Sequence, residues 1–292
     1  MRISLHFGNP SSLPLTTSTT NSFLKKASTV RSAKQVGERN NSMLSCKALG
    51  SSENENYIIQ PPAVPIGVIG GVSAMSTVVF LERLVWRSDE SSLPFIVCSD
   101  PFLDGSKSAE LVENIVSKAK LLEQLGAKCI VIPSHQSLLW HREVSERCSL
   151  PVLHIGDSVV SELRASRLRP LEAGSRNPRI GVLAISSSSS ANFYQEKLRN
   201  EGYEVVLPDK QTTDQILSPA IQCAKRDEEG AKMLLLICIN ILLVRAANKV
   251  ILACDELQGL IPRNDPLLRK CINPLDCLAT STSKWARKYI KI

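Results

Sequence analysis

The chain lacks the spacing that would turn its nine cysteines into a disulfide framework or a metal site. No two are arranged as Cys-x-x-Cys, and an odd number of them (46, 98, 129, 148, 223, 238, 254, 271 and 277) is scattered through apolar stretches. Such thiols are expected to be reduced and mostly to fill core space. Long apolar runs are lacking too. The most apolar segment, residues 233–244, spans only twelve residues and contains Asn240. A membrane-crossing helix needs about 20, so a buried helix of a soluble protein is expected there, and no run resembles a secretory signal. Acid is nearly absent from the first fifty residues, where Glu38 faces Arg2, Lys25, Lys26, Arg31, Lys34, Arg39 and Lys47, a surplus of six positive charges. The formal net charge is +7, so only about one positive charge remains for the other 242 residues. The body of the chain therefore carries no electrostatic footprint for nucleic acid or an anionic membrane.

The acid-poor leader is rich in Ser and Thr and has no apolar helix period. This composition fits an organelle transit peptide over residues 1–50, and the hydroxyl content favours the chloroplast, with the stroma as destination. A disordered tail without an address is the alternative. Residues 51–64 read as a linker.

From residue 66 the character changes. Ile66-Gly-Val-Ile-Gly-Gly is a short apolar strand running into glycines, and a segment of helical spacing follows it. A second strand starts at Pro94. In residues 107–125, Leu111, Val112, Ile115, Val116, Ala119 and Leu122 fall on one helix face, stopped by Gly126. Strands starting near Lys128 and Pro151 come next, and the alternation implies a parallel α/β fold. The chain also matches itself. At an offset of 114, Ile66-Gly-Val-Ile lies over Ile180-Gly-Val-Leu; at 120, the stretch from Ala127 lies over the stretch from Ala247. A repeat of this length points to two similar domains. The expectation is two three-layer αβα domains with mostly parallel sheets, related by an approximate two-fold axis, with a cleft between them. The first covers residues 65–160 and is joined by a C-terminal helix at 274–292; the second covers 161–273.

Ligands of open α/β sheets bind beyond the carboxyl ends of the strands. The strand starting near 128 delivers Ser134 to that edge, and its copy near 249 delivers Cys254. Two acid/base groups approaching one carbon from opposite sides can take a proton from one face and return one to the other. A thiol suits this because its ordinary pKa, about 8.5, is tunable toward neutrality.

These residues resemble the cofactor-independent aspartate/glutamate racemase superfamily, whose members combine a Gly-Gly loop, a Cys-Asn-Thr motif and a Gly-Cys-Thr-Glu-Leu motif. The corresponding stretches are Ile69-Gly-Gly-Val-Ser-Ala, Ile132-Pro-Ser-His-Gln-Ser and Leu252-Ala-Cys-Asp-Glu-Leu, and the likeness runs over roughly residues 65–290. It implies an amino-acid racemase or epimerase that needs no cofactor, acts on a small carboxylic or amino acid, and forms a homodimer. Cys254 would exchange the α proton, with Ser134 as its catalytic counterpart and Gly71, His135, Gln136, Ser187, Lys225, Asp255 and Glu256 binding substrate, Asp255 through the amino group.

Ser134 departs from the family pattern, since it stands where the first thiol belongs. An alkyl hydroxyl needs an adjacent base to act. Ser134 can instead be a passive hydrogen-bond donor, and His135 either a helper base or an ordinary loop imidazole. Lys225 reads equally as a solvated helix charge, the serines at 186–190 as a flexible loop, and Asp255 and Glu256 as a solvated loop end. Two other functions stay open: a decarboxylase that uses one thiol to protonate its intermediate, and a catalytically silent protein that binds small acids.

Overall fold

A computed structural model describes residues 65–87, 93–100, 108–185 and 188–290. The expected leader and linker lie outside these residues. The first half runs β1 (Ile66–Gly70), α1 (Ala74–Arg87), β2 (Phe95–Ser99), α2 (Ser108–Gln124), β3 (Cys129–Val131), α3 (Ser137–Arg147), β4 (Val152–Leu153) and α4 (Ile155–Ser166). The second runs β5 (Arg179–Leu183), α5 (Ser189–Asn200), β6 (Glu204–Val206), α6 (Lys210–Thr212), a π-helical turn at Thr213–Leu217, α7 (Ser218–Cys223), α8 (Glu228–Val244), β7 (Lys249–Leu252), β8 (Cys271–Ile272) and α9 (Pro274–Ile290).

Both halves form a parallel four-stranded sheet with one topology, β2-β1-β3-β4 and β6-β5-β7-β8. The offset of 120 maps α2 onto α8 and the start of β3 onto the start of β7. The shared Ile-Gly-Val has a packing reason. A Cβ on Gly181 would lie 3.2 Å from Leu242 of α8, and one on Gly67 would lie 3.0 Å from the Ile130 side chain, so glycine allows the close approach in each copy.

Strand residues alternate between two cores, as a pleated sheet covered on both faces requires. Ile66 and Val68 pack with Phe80 and Leu84 of α1 and with Leu275, Leu278 and Ala286 of α9. Ile69 and Ile130 turn to the other face, against Leu111, Val112, Ile115 and Leu122 of α2 and Trp140 of α3. In the second half, Ile180, Val182 and Ile251 pack with Val159, Val160 and Leu163 of α4 and with Tyr194 and Leu198 of α5. Val250 and Leu252 face α8. The halves therefore exchange helices: α9 follows the second sheet yet covers the first, while α4 follows the first and covers the second. The boundary expected between residues 160 and 161 runs through α4.

The segment expected to be a buried helix forms most of α8. Ala231, Leu235, Cys238, Ile239 and Leu242 are buried, but Met233, Ile237 and Val244 are exposed, so only one face enters the core. Among the described residues no helix is long and apolar enough to cross a membrane.

Candidate active site

Two strand ends build the site. Beyond β3 the chain continues through Ile132 and Pro133 to Ser134, His135 and Gln136; beyond β7 it continues through Ala253 to Cys254, Asp255 and Glu256. The repeat makes these triplets equivalent. They also touch, because Asp255 accepts hydrogen bonds from its own counterpart, His135: from the backbone N–H at 3.0 and 3.2 Å to its two oxygens, and from Nδ1 at 2.8 Å. Contact between equivalent positions is what an axis relating the two copies produces where it passes.

Asp255 is the hub. Ser134 Oγ donates to its Oδ2 at 2.7 Å, and Ser76 Oγ of α1 donates to its Oδ1 at 3.1 Å. Ser73, in the loop after Gly71, donates to Ser76 Oγ at 3.0 Å. Burial acts to push the Asp255 carboxyl up, but the His135 ring, the Ser134 hydroxyl and the His135 backbone N–H outweigh it and hold the carboxyl below its ordinary value. An ionised carboxylate can only accept, so the proton on Nδ1 belongs to His135. In the neutral ring Nε2 then carries a lone pair, and this nitrogen is buried without a hydrogen-bond partner.

Gly71 has φ 111°, and a Cβ there would lie 2.0 Å from the Asp100 carbonyl oxygen. Glycine is needed for the chain to turn against the end of β2 and present Ser73 and Ser76.

A cavity of about 170 Å³ opens at these strand ends. His135 and Gln136 line it from the first half; Ser188, Ser189 and Ser190 at the start of α5, Ile221 of α7, and Cys254, Asp255 and Glu256 line it from the second. Ser188 caps α5, its Oγ accepting the Ala191 N–H at 3.2 Å. The positive end of a helix dipole thus faces the pocket, an arrangement that favours a carboxylate. Cys254 is buried, and its thiol donates to the Leu183 carbonyl at 3.4 Å. Burial first, then the Glu256 and Asp255 carboxylates, push that thiol far above its ordinary value, so it is protonated at rest. A second hollow of about 160 Å³, beside Lys120, Glu123 and Arg147, precedes β4 at the amino ends of the strands, away from this edge.

The structure brings together Cys254, His135, Gln136, Asp255 and Glu256. Ser134 is buried beside them with its hydroxyl committed to Asp255, and it does not line the cavity. Asp255 in turn has both oxygens engaged by protein donors, where a substrate amino group was expected. Gly71 shapes the adjoining loop and does not line the cavity. Lys225 lies exposed on the turn after α7, and Ile221, one helical turn earlier, lines the pocket instead. Ser187 lies outside the described residues. Sequence reasoning missed Ser76 and Tyr194, while Ser190 belongs to the serine run it singled out. The offset of 114 that aligns the two first strands also pairs Ser76 with Ser190 and Phe80 with Tyr194, so the signal was present. The Tyr194 ring meets His135 edge-on at 6.2 Å, and its hydroxyl is buried without a partner.

Fold and site define a two-lobed α/β protein with a polar, small-molecule pocket where the lobes meet. The chain belongs to the Asp/Glu/Hydantoin racemase family, which matches residues 68–282. It is 22% identical over 231 residues to the broad specificity amino-acid racemase RacX of Bacillus subtilis, covering 74% of this chain and 96% of that one. An aspartate racemase homologue from Pyrococcus horikoshii OT3 superposes with a TM-score of 0.62 at 19% identity, over 76% of this chain and 99% of the other. Picrophilus torridus aspartate racemase gives 0.60 at 22% identity, over 77% and 98%.

Proposed function

We propose that this chain is a cofactor-independent racemase or epimerase of amino acids, in which Cys254 exchanges the α proton of the substrate. The reading rests on one arrangement: a protonated thiol and a histidine from equivalent strand ends line the same cavity of about 170 Å³, beside the N-terminus of α5. The substrate carboxylate sits at the serines of that terminus, and Glu256, exposed at the pocket, takes the amino group that Asp255 is not free to hold. Family membership supports the reaction class, and the breadth named for RacX argues for testing amino acids beyond aspartate and glutamate. In this reading the acid-poor leader sends the protein to the plastid stroma, and the working form is a homodimer.

The test is incubation in D₂O with a panel of L- and D-amino acids, followed by NMR of the α position. Deuterium enters with at least one substrate, and Cys254→Ala abolishes the interconversion of its enantiomers. Absence of exchange across the panel refutes the reading. A second reading, a decarboxylase of malonate-like acids, is favoured by the resting protonation of Cys254, since a lone buried thiol suits delivery of one proton. Release of carbon dioxide from an arylmalonate without amino-acid exchange is its signature.

A further inference from the structure

The family pattern has a thiol at position 134, and this chain has a hydroxyl that is turned away into a hydrogen bond. We propose that His135 Nε2, presented by Asp255, is the second acid/base group, so that the proton is exchanged between an imidazole on one lobe and the Cys254 thiol on the other. This rests on the racemase reading above and assigns the group that replaces the missing thiol.

Three observations carry it. His135 lines the cavity that Cys254 lines. Its Nε2 is buried and makes no hydrogen bond within the protein, in a residue only 5% exposed. A buried polar nitrogen without a protein partner is costly unless something binds it, and the cavity beside this ring is the place from which a substrate would reach it. Finally, the ring is held by Asp255, itself held by Ser134 and Ser76, so that in the neutral ring the lone pair falls on Nε2. An aspartate that fixes an imidazole's tautomer and orientation is the supporting partner of a general base. Ser134 and Asp255 are then positioning residues, and the departure at Ser134 serves the ring next to it.

In one direction Nε2 takes the Cα proton, and the bonding pair passes into the substrate carboxylate as an enediolate. The Cys254 S–H then gives its proton to the opposite face of Cα. Imidazolium and thiolate remain, and they either run the reverse reaction on the other enantiomer or are reset by proton exchange with solvent. No oxidant or co-reactant is needed.

The experiment compares α-deuterium exchange by the full chain with that by His135→Asn, His135→Ala and Asp255→Asn. Asn at 135 can donate to Asp255 from the place of Nδ1 but has nothing in the place of Nε2, so it preserves the bridge and removes the base. His135→Asn is expected to fall about 10² to 10⁴-fold, the usual contribution of a positioned acid/base group. In His135→Ala, added imidazole restores exchange with saturation, faster for more basic substituted imidazoles, whereas Cys254→Ala is not rescued. Asp255→Asn, which no longer fixes the tautomer, displaces the pH profile of exchange. If exchange by His135→Asn stays within tenfold of the unmodified protein, or imidazole fails to rescue folded His135→Ala, the assignment is overturned while the racemase reading stands. If the unmodified protein exchanges nothing, the racemase reading falls and takes this assignment with it.

Discussion

Replacing Asp255 by Ala removes the one group that ties β7's end to three places in the first half, and the consequence for stability follows from its partners. Two hydroxyls and two N–H groups of His135 converge on the carboxylate at 2.7 to 3.2 Å. The hydroxyls of Ser76 and Ser134 can rotate to other acceptors; the N–H groups, fixed to the backbone and the ring, cannot. Each buried donor left without a partner costs about 1–3 kcal/mol, so the two together make a loss of about 2–6 kcal/mol, which brackets the roughly 3–5 kcal/mol typical of removing one member of a buried pair. Asp255→Asn keeps one acceptor oxygen but loses the charge and sets an N–H₂ against donors that met the other oxygen, and about half that loss is expected. The assay is urea unfolding at pH 7, repeated toward acid. Because the folded state holds the Asp255 carboxyl below its ordinary value, it binds that proton more weakly than the unfolded chain does. The stabilisation is therefore complete above the ordinary aspartate value of about 3.9 and drains away as pH falls through the folded value. The gap between the parent and Asp255→Asn must narrow in acid. A loss below about 1 kcal/mol for Asp255→Ala, outside the range that even one orphaned donor sets, or a gap that widens in acid, would refute the account of Asp255 as the tie between lobes.

Gly71→Ala is expected to cost about 3 kcal/mol or more, the sum of a left-handed backbone and an overlap with Asp100 that needs the chain to shift; thermal unfolding reads it. Ala246 occupies at φ 59° the place after α8 that Gly126 occupies after α2, 120 residues earlier. Relieving a left-handed alanine returns about 1–2 kcal/mol and the freer unfolded chain takes back about 0.5–1, so Ala246→Gly should stabilise by about 0.5–1 kcal/mol in the same assay. Burial, and then the facing His141 ring, lower the His154 pKa to about 4. The unfolded chain therefore binds this proton more tightly, and stability is lost as pH falls from about 6.5 to 4, by up to about 3 kcal/mol. His154→Asn keeps an oxygen to cap Asp157 N–H and cannot titrate, so its stability should vary less with pH over that window; an unchanged slope would exclude His154 as the source.

The strands and helices were readable because each half repeats one pattern of short apolar runs and amphipathic helices. The six apolar residues assigned to α2's inner face are all buried. The exchange of α4 and α9 was only partly readable. The apolar stripe of α4 fits either sheet, and which one it covers depends on lobe packing rather than on local period. The exposed face of α8 was hidden for a related reason: hydropathy records that Met233, Ile237 and Val244 are apolar, not which way a helix turns them. At the site, strand ends and the thiol's place could be read from the repeat, but hydrogen-bond direction could not. Ser134 Oγ could have faced the ligand or the protein, and only the position of Asp255, 121 residues away, decides it.

That decision has a chemical consequence for the duplicated design. In a symmetric pair the two strand-end residues would be alike, and the residues after them would meet near the axis as equals. Here the pair meeting near the axis is histidine and aspartate, a donor and an acceptor, while the strand-end pair is serine and cysteine, of which only cysteine lines the cavity. The two differences compensate each other. A hydroxyl at 134 is a poor proton carrier but a good donor to a carboxylate, and a carboxylate at 255 raises the neighbouring thiol's affinity for its proton while fixing an imidazole, the side chain whose ordinary titration lies nearest neutrality. Substituting either position alone should therefore do more harm than its own contact accounts for. In a double-mutant cycle on exchange rate, Ser134→Ala and Asp255→Asn should be non-additive, the double variant being little worse than Asp255→Asn alone, because Ser134 acts only through the carboxylate; strictly additive losses would give Ser134 a separate role at the substrate.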